Sequence, residues 1–149
     1  MGGLRYAESL GCHTAALTCN ADSVLGKAAE LKIEVVPGPE VLTGSTRLKA
    51  GTCQKMVLNM ISTTAMVLNG KAYENLMVDV MQTNEKLRVR ARNMVMEATG
   101  VDAAAAGRAL EQAGGSAKTA ITMILADCSC QEALERLQKS GGHVREAIL

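Results

Sequence analysis

His13-Thr14-Ala15-Ala16-Leu17-Thr18-Cys19 and Ile33-Glu34-Val35-Val36 are the stretches on which the fold class turns. The first is a short apolar run bounded by Gly11 and by Asn20-Ala21-Asp22, and the second ends at Pro37. Short apolar runs between turn residues suit strands of a buried parallel sheet. The intervening Ser23 to Ala29 reads as helix, so the order is strand, helix, strand, the grammar of a βαβ unit. Ahead of them, Leu4, Ala7 and Leu10 share one helical face that Gly11 terminates, so the sequence opens as the tail of a helix. Two strands make no stable doubly wound sheet, which needs several neighbours and helices on both faces. The reading therefore expects further sheet upstream of Met1.

Downstream the period changes from strand to helix. From Arg47 to Leu68, Cys53, Met56, Val57, Met60, Ile61, Val67 and Leu68 recur at three- and four-residue steps, predicting a long, mostly buried helix that Asn69-Gly70 stops. Tyr73 to Val80 is apolar without a deciding period, so a short helix and an extended piece both stay open. Thr83 precedes a helix to about Ala98 that turns Leu87, Ala91, Met94, Val95 and Ala98 inward and leaves Arg88, Arg90 and Arg92 mostly solvated. Beyond Gly100 an internal repeat emerges: LEQAGGSAKTAI from Leu110 matches LQKSGGHVREAI from Leu137, an offset of 137 − 110 = 27. Each copy reads as helix, Gly-Gly stop, helix. The stretch Met94 to Leu125 resembles a ubiquitin-associated-type three-helix domain, read here as a packing module ahead of a ubiquitin binder.

Composition narrows the function classes. Of 149 residues 48 % are hydrophobic, yet there are two Tyr and no Phe or Trp, so burial falls to Ala, Val, Leu, Ile and nine Met, which favours close helix packing. A net charge of +1 with both signs scattered gives no field to hold a phosphate backbone, and two Tyr are little to stack bases on, which argues against nucleic acid. No apolar run reaches the roughly 20 residues of a bilayer-crossing helix, so no membrane is expected. The N-terminus lacks secretory and myristoylation patterns. Five cysteines, Cys12, Cys19, Cys53, Cys128 and Cys130, are an odd number in core-like segments and read as reduced thiols of a cytoplasmic protein. Cys128-Ser129-Cys130 offers half a zinc site at most, and neither His13 nor His143 stands at ligand spacing from it.

Chemistry concentrates in three places. In Gly38-Pro39-Glu40-Val41-Leu42-Thr43-Gly44-Ser45-Thr46-Arg47-Leu48-Lys49, a glycine, two hydroxyls and two cations precede the long helix, whose free N–H groups carry partial positive charge. These are parts of a phosphate cradle without the P-loop ending; equally, Ser45 or Thr46 caps the helix. Asn75, Asp79, Asn84, Glu85 and Lys86 form a second polar cluster, with Lys86 in a first helical turn, where a cation is disfavoured unless an anion is near. Glu40 lies at the C-terminal edge of a strand, where open α/β sheets bind ligands; it either bonds sugar hydroxyls or pairs with Arg47. No Ser/His/Asp or Cys/His triad can be built.

Three segments, GPEVLTGSTRLKAGTCQKMVLNMIS, NLMVDVMQTNEKL and MEATG, resemble the bacterial N-acetylmuramic acid 6-phosphate etherases, a branch of the sugar isomerase (SIS) superfamily that includes the glucokinase regulatory protein. The resemblance covers essentially the whole chain. It implies the C-terminal half of a doubly wound parallel-sheet SIS domain in residues 1–99 and a helical, UBA-like bundle in 100–149. It also implies a cytoplasmic homodimer with its site near the subunit interface, and no metal or organic cofactor. The implied activity is that of a lyase in peptidoglycan recycling, which eliminates D-lactate from N-acetylmuramic acid 6-phosphate and adds water to give N-acetylglucosamine 6-phosphate. The family's Ser/Gly-rich phosphate loops and its acid and base glutamates belong upstream of Met1, so no catalytic residue is assigned here. The substrate-binding candidates are Glu40, Ser45, Thr46, Lys49, Asn84 and Lys86; the Asn-x-Lys of Asn84 and Lys86 matches a segment that reaches the sugar phosphate in the glucokinase-regulator branch. The alternative is a sugar-phosphate-binding regulator without catalysis.

Overall fold

Alternating short strands and helices at the N-terminus give way to a purely helical C-terminus in the computed structural model, which describes residues 1–149. The chain divides into two compact units, Met1–Ser62 and Thr63–Leu149.

The first unit begins with helix α1 (Gly2–Ser9), followed by strand β1 (Ala15–Thr18), helix α2 (Val24–Ala28) and strand β2 (Leu31–Glu34). The two strands pair in parallel, Ala15 opposite Leu31 and Thr18 opposite Glu34. Strand, helix and parallel strand are thus present in the expected order. The second strand starts two residues earlier than its apolar run because Thr14 already receives the Leu31 N–H at 3.0 Å, and pairing fades after Val35 donates to Thr18. Ser23 caps α2 by accepting from the Gly26 N–H at 2.9 Å. Ala16 and Thr18 are buried while their neighbours are not, so β1 alternates as a strand covered on one face does, instead of being buried throughout.

Helix α3 (Lys49–Leu68) forms where the period puts it, but it is not the buried helix expected. Only Ala50 is buried, and Met56, Leu58, Met60, Ile61, Met66, Val67 and Leu68 remain 49–71 % exposed. A helix apolar around most of its circumference needs neighbours on more than one side, and these residues have too few.

In the second unit β3 (Ala72–Tyr73) and β4 (Leu76–Met77) form an antiparallel hairpin, which resolves the open 73–80 reading as extended chain. Five helices follow: α4 (Glu85–Thr99), α5 (Ala103–Gln112), α6 (Ala117–Leu125), α7 (Cys130–Lys139) and α8 (Val144–Ala147). Their shared core contains Val78, Ala91, Val95, Ala106, Ala120, Ile121 and Val144. Alanine faces let the helices approach closely, as a chain without large aromatics requires. Of the five α4 residues expected inside, Ala91, Met94 and Val95 are buried and Leu87 and Ala98 half-buried.

The repeat is structural as well as sequential. Gly114 and Gly115 have φ of 60° and 87°, Gly141 and Gly142 61° and 86°. In both copies the second glycine N–H returns to a leucine carbonyl, Leu110 at 2.8 Å and Leu137 at 2.7 Å. This is the Schellman closure of a helix C-terminus. Gly70, with φ of 64°, presses on the second turn so closely that a Cβ there would lie 2.6 Å from the Gly142 carbonyl carbon and oxygen. Gly70→Ala is therefore expected to destabilise the protein by about 2 kcal/mol or more, read as a lower urea midpoint at unchanged slope.

Candidate functional site

The loop before α3 is organised by Glu40. Its Oε2 accepts from the Lys49 N–H and its Oε1 from the Ala50 N–H, both at 2.9 Å. The next two N–H groups are also used, Gly51 donating to the Thr46 carbonyl and Thr52 to that of Leu48. The first turn of α3 thus already holds an anion, the Glu40 carboxylate, in the place a phosphate cradle would offer. Neither Ser45 nor Thr46 caps the helix with its side chain: Ser45 contributes its carbonyl to Leu48 N–H at 3.2 Å, and both hydroxyls are free of protein partners. Nor does Glu40 pair with Arg47. Lys49 is exposed, forms no ion pair, and has its amine near Gly38.

The Ala50 and Lys49 N–H bonds hold the Glu40 carboxyl below the ordinary glutamate range, against a smaller opposing effect of desolvation. A carboxyl whose folded value is depressed adds stability above its unfolded value and loses it as pH falls through the folded one.

In the second unit, Asn84 caps α4, its Oδ1 accepting from the Leu87 N–H at 3.0 Å. Lys86 lines a cleft of about 340 Å³ between the hairpin and α4, with Asn75, Leu76 and Met77 on one wall and Arg90, Asn93 and Glu97 along the helix. Lys86, Arg90 and Asn93 follow the i, i+4, i+7 spacing of one helix face, and neither cation has an ion-pair partner. Two unpaired cations, two amides and an apolar floor suit a small anion carrying hydroxyl groups. Of the polar cluster expected from sequence, Asn75 and Lys86 come together, whereas Asp79 instead pairs with Lys71. Arg88, Arg90 and Arg92 are exposed, as expected from sequence, and the spacing of Arg90 and Asn93 from Lys86 places them along the same cleft.

The remaining reactive groups are dispersed. All five cysteines are free, and burial pushes the Cys128 thiol up, away from the thiolate. His13 is exposed beside Glu30 at 2.8 Å, while His143 begins α8 without a side-chain cap. No helix is long and apolar enough to cross a membrane.

No protein-family model matches the chain. Individual proteins do. Over 148 residues, 99 % of its length, the chain is 60 % identical to an N-acetylmuramic acid 6-phosphate etherase of Exiguobacterium and covers 50 % of that protein. A Geobacillus protein of the same name is 57 % identical over the same extent. That of Pectobacterium atrosepticum is 54 % identical over all 149 residues and 49 % of its own length. The chain is thus similar, from end to end, to half of an N-acetylmuramic acid 6-phosphate etherase, as its motifs implied. It spans about half the length of the curated relatives it matches.

Glu40→Gln is expected to lower the melting temperature near neutral pH, where the charged cap is intact. As pH falls below the ordinary glutamate pKa of about 4.3 the wild-type and variant curves should begin to approach each other, meeting only below the lower folded value, as thermal melts across pH 3 to 7 will show.

Proposed function

We propose that this chain is the C-terminal half of an N-acetylmuramic acid 6-phosphate etherase, a carbon–oxygen lyase of peptidoglycan recycling. The observation carrying the reading is the identity of 60 % maintained over 99 % of the chain with a protein of that name. On this reading residues 1–99 complete a doubly wound SIS domain and 100–149 are its UBA-like helical tail. The parallel β1–β2 pair and the helical second unit agree with both parts. The exposed apolar face of α3 supports it as well, since the partner half supplies the missing neighbours.

The etherase reaction removes the proton beside the sugar's carbonyl carbon, expels the lactyl oxygen as D-lactate once protonated, and returns water to the unsaturated sugar. It needs a base and an acid, and these belong to the half not included in this chain. What this half supplies is binding. The cleft of Lys86, Arg90, Asn75 and Asn93 takes the 6-phosphate and neighbouring hydroxyls. Asn84 acts as the cap that fixes Lys86. At the first unit's loop, the Ser45 and Thr46 hydroxyls and the Lys49 amine are available to a sugar ligand, while Glu40 holds the loop on α3. The protein works as a cytoplasmic homodimer without metal or organic cofactor.

The assay is D-lactate release from N-acetylmuramic acid 6-phosphate. The chain alone is expected to release none; mixed with the half of the Exiguobacterium relative that it does not match, it should restore turnover. In that reconstituted enzyme Lys86→Ala should raise KM about tenfold with little change in kcat. Saturable sugar-phosphate binding by the reconstituted pair without any D-lactate would replace this reading with that of a non-catalytic regulator.

A further inference from the structure

The 27-residue repeat has no part in the function described so far, yet its two copies grip one segment, the connector 69–84, at matching positions. In the first copy the Gly115 carbonyl accepts a hydrogen bond from the Gln82 amide at 2.5 Å. Three residues on, Lys118 makes no ion pair with the connector; its charge only adds to the Lys71 hydrogen bond that lowers the Asp79 carboxyl. In the second copy Gly142 lies against Gly70, and Arg145 pairs with Glu74. The correspondence is that of the sequence repeat: 142 − 115 = 27 and 145 − 118 = 27. A glycine turn takes each end of the connector, and in the second copy Arg145 also takes an acid further in.

Apart from these turns the connector is held by Tyr73, Leu76 and Val80 packing on the helical core and by the Lys71–Asp79 pair. Its own structure is a hairpin of two-residue strands, the bond from Val78 N–H to the Lys71 carbonyl at 3.1 Å, and the buried Val78 side chain. Yet it supplies one wall of the Lys86 cleft, through Asn75, Leu76 and Met77, and ends in the Asn84 cap. The width of the cleft is therefore set by where the connector is anchored.

We propose that the duplicated Gly-Gly units are the two jaws of a clamp on connector 69–84, with Gln82 and Arg145 as positioning residues that set the sugar-phosphate cleft beside Lys86. The ligand part rests on the function proposed above; the clamp itself rests only on the contacts just given.

Amide hydrogen exchange on the full chain, combined with titration of N-acetylglucosamine 6-phosphate, tests this. Glu74→Arg and Arg145→Glu alone should each speed exchange at Met77 and Leu87 about two- to fivefold, the scale of an exposed ion pair, and Gln82→Ala should act similarly. The double swap Glu74→Arg/Arg145→Glu should return exchange to the wild-type rate, and the Ala120 and Ile121 amides should stay unchanged throughout. Sugar-phosphate affinity should weaken by the same factor in the single variants and recover in the swap. Unmoved exchange in the single variants, or a swap that fails to restore it, overturns the clamp. If exchange behaves as expected but wild-type protein shows no ligand-dependent shift at Lys86, the clamp stands and the binding reading falls.

Discussion

Gly70 and Gly142 meet backbone to backbone, and the second unit is assembled around that approach. Any Cβ on Gly70 would lie within 2.9 Å of three backbone atoms, the carbonyl carbon and oxygen of Gly142 and the nitrogen of His143. Both residues also hold a left-handed conformation that ends a helix, α3 in one case and α7 in the other. The end of α3 is thereby fixed on the beginning of α8. Once that is done, the hairpin, the Arg145–Glu74 pair and the seating of Val78 in the helical core follow from short-range geometry.

The contrast between the helical core and α3 follows from the same composition. Without large aromatics, apolar surface is buried by bringing alanine faces together, and α4, α5 and α6 do this with Ala91, Ala106, Ala117 and Ala120. Helix α3 carries methionine, leucine, isoleucine and valine around its circumference, and no alanine face of this chain closes over them. Burying even half of these side chains would contribute several kcal/mol, at about 1.5–3 kcal/mol for each fully buried residue. Such a surface belongs in an interior or an interface, which is the physical support for the proposed reading of the chain as half of a larger domain.

Local signals were the legible ones. The Gly-Gly stops, the parallel strand pair and the offset of the repeat all depend on residues close in sequence or on period, and each is present. Burial of α3 was not legible, because periodicity reports that a helix has an apolar face and not whether anything lies against it. Glu40 was misread for a related reason. Its partners are main-chain N–H groups nine and ten positions away, which no side-chain pattern announces, so Arg47 drew attention as the nearest opposite charge. Arg90 and Asn93 were passed over because a charged helix face usually faces water; only the hairpin wall formed by Asn75, Leu76 and Met77 turns that face into a cleft.

These placements bear on where the proposed phosphate site lies. At the start of α3 every N–H of the first turn already has an acceptor, two of them a carboxylate held ionised by those same bonds. A phosphate entering there would have to displace Glu40 and leave it with its charge uncompensated, a cost that cancels much of what the helix dipole offers. In the Lys86 cleft Lys86 and Arg90 form no ion pair, and the one carboxylate in the lining, Glu97, is paired with neither. On the proposed function, phosphate is therefore assigned to the Lys86 and Arg90 cleft and not to the first turn of α3.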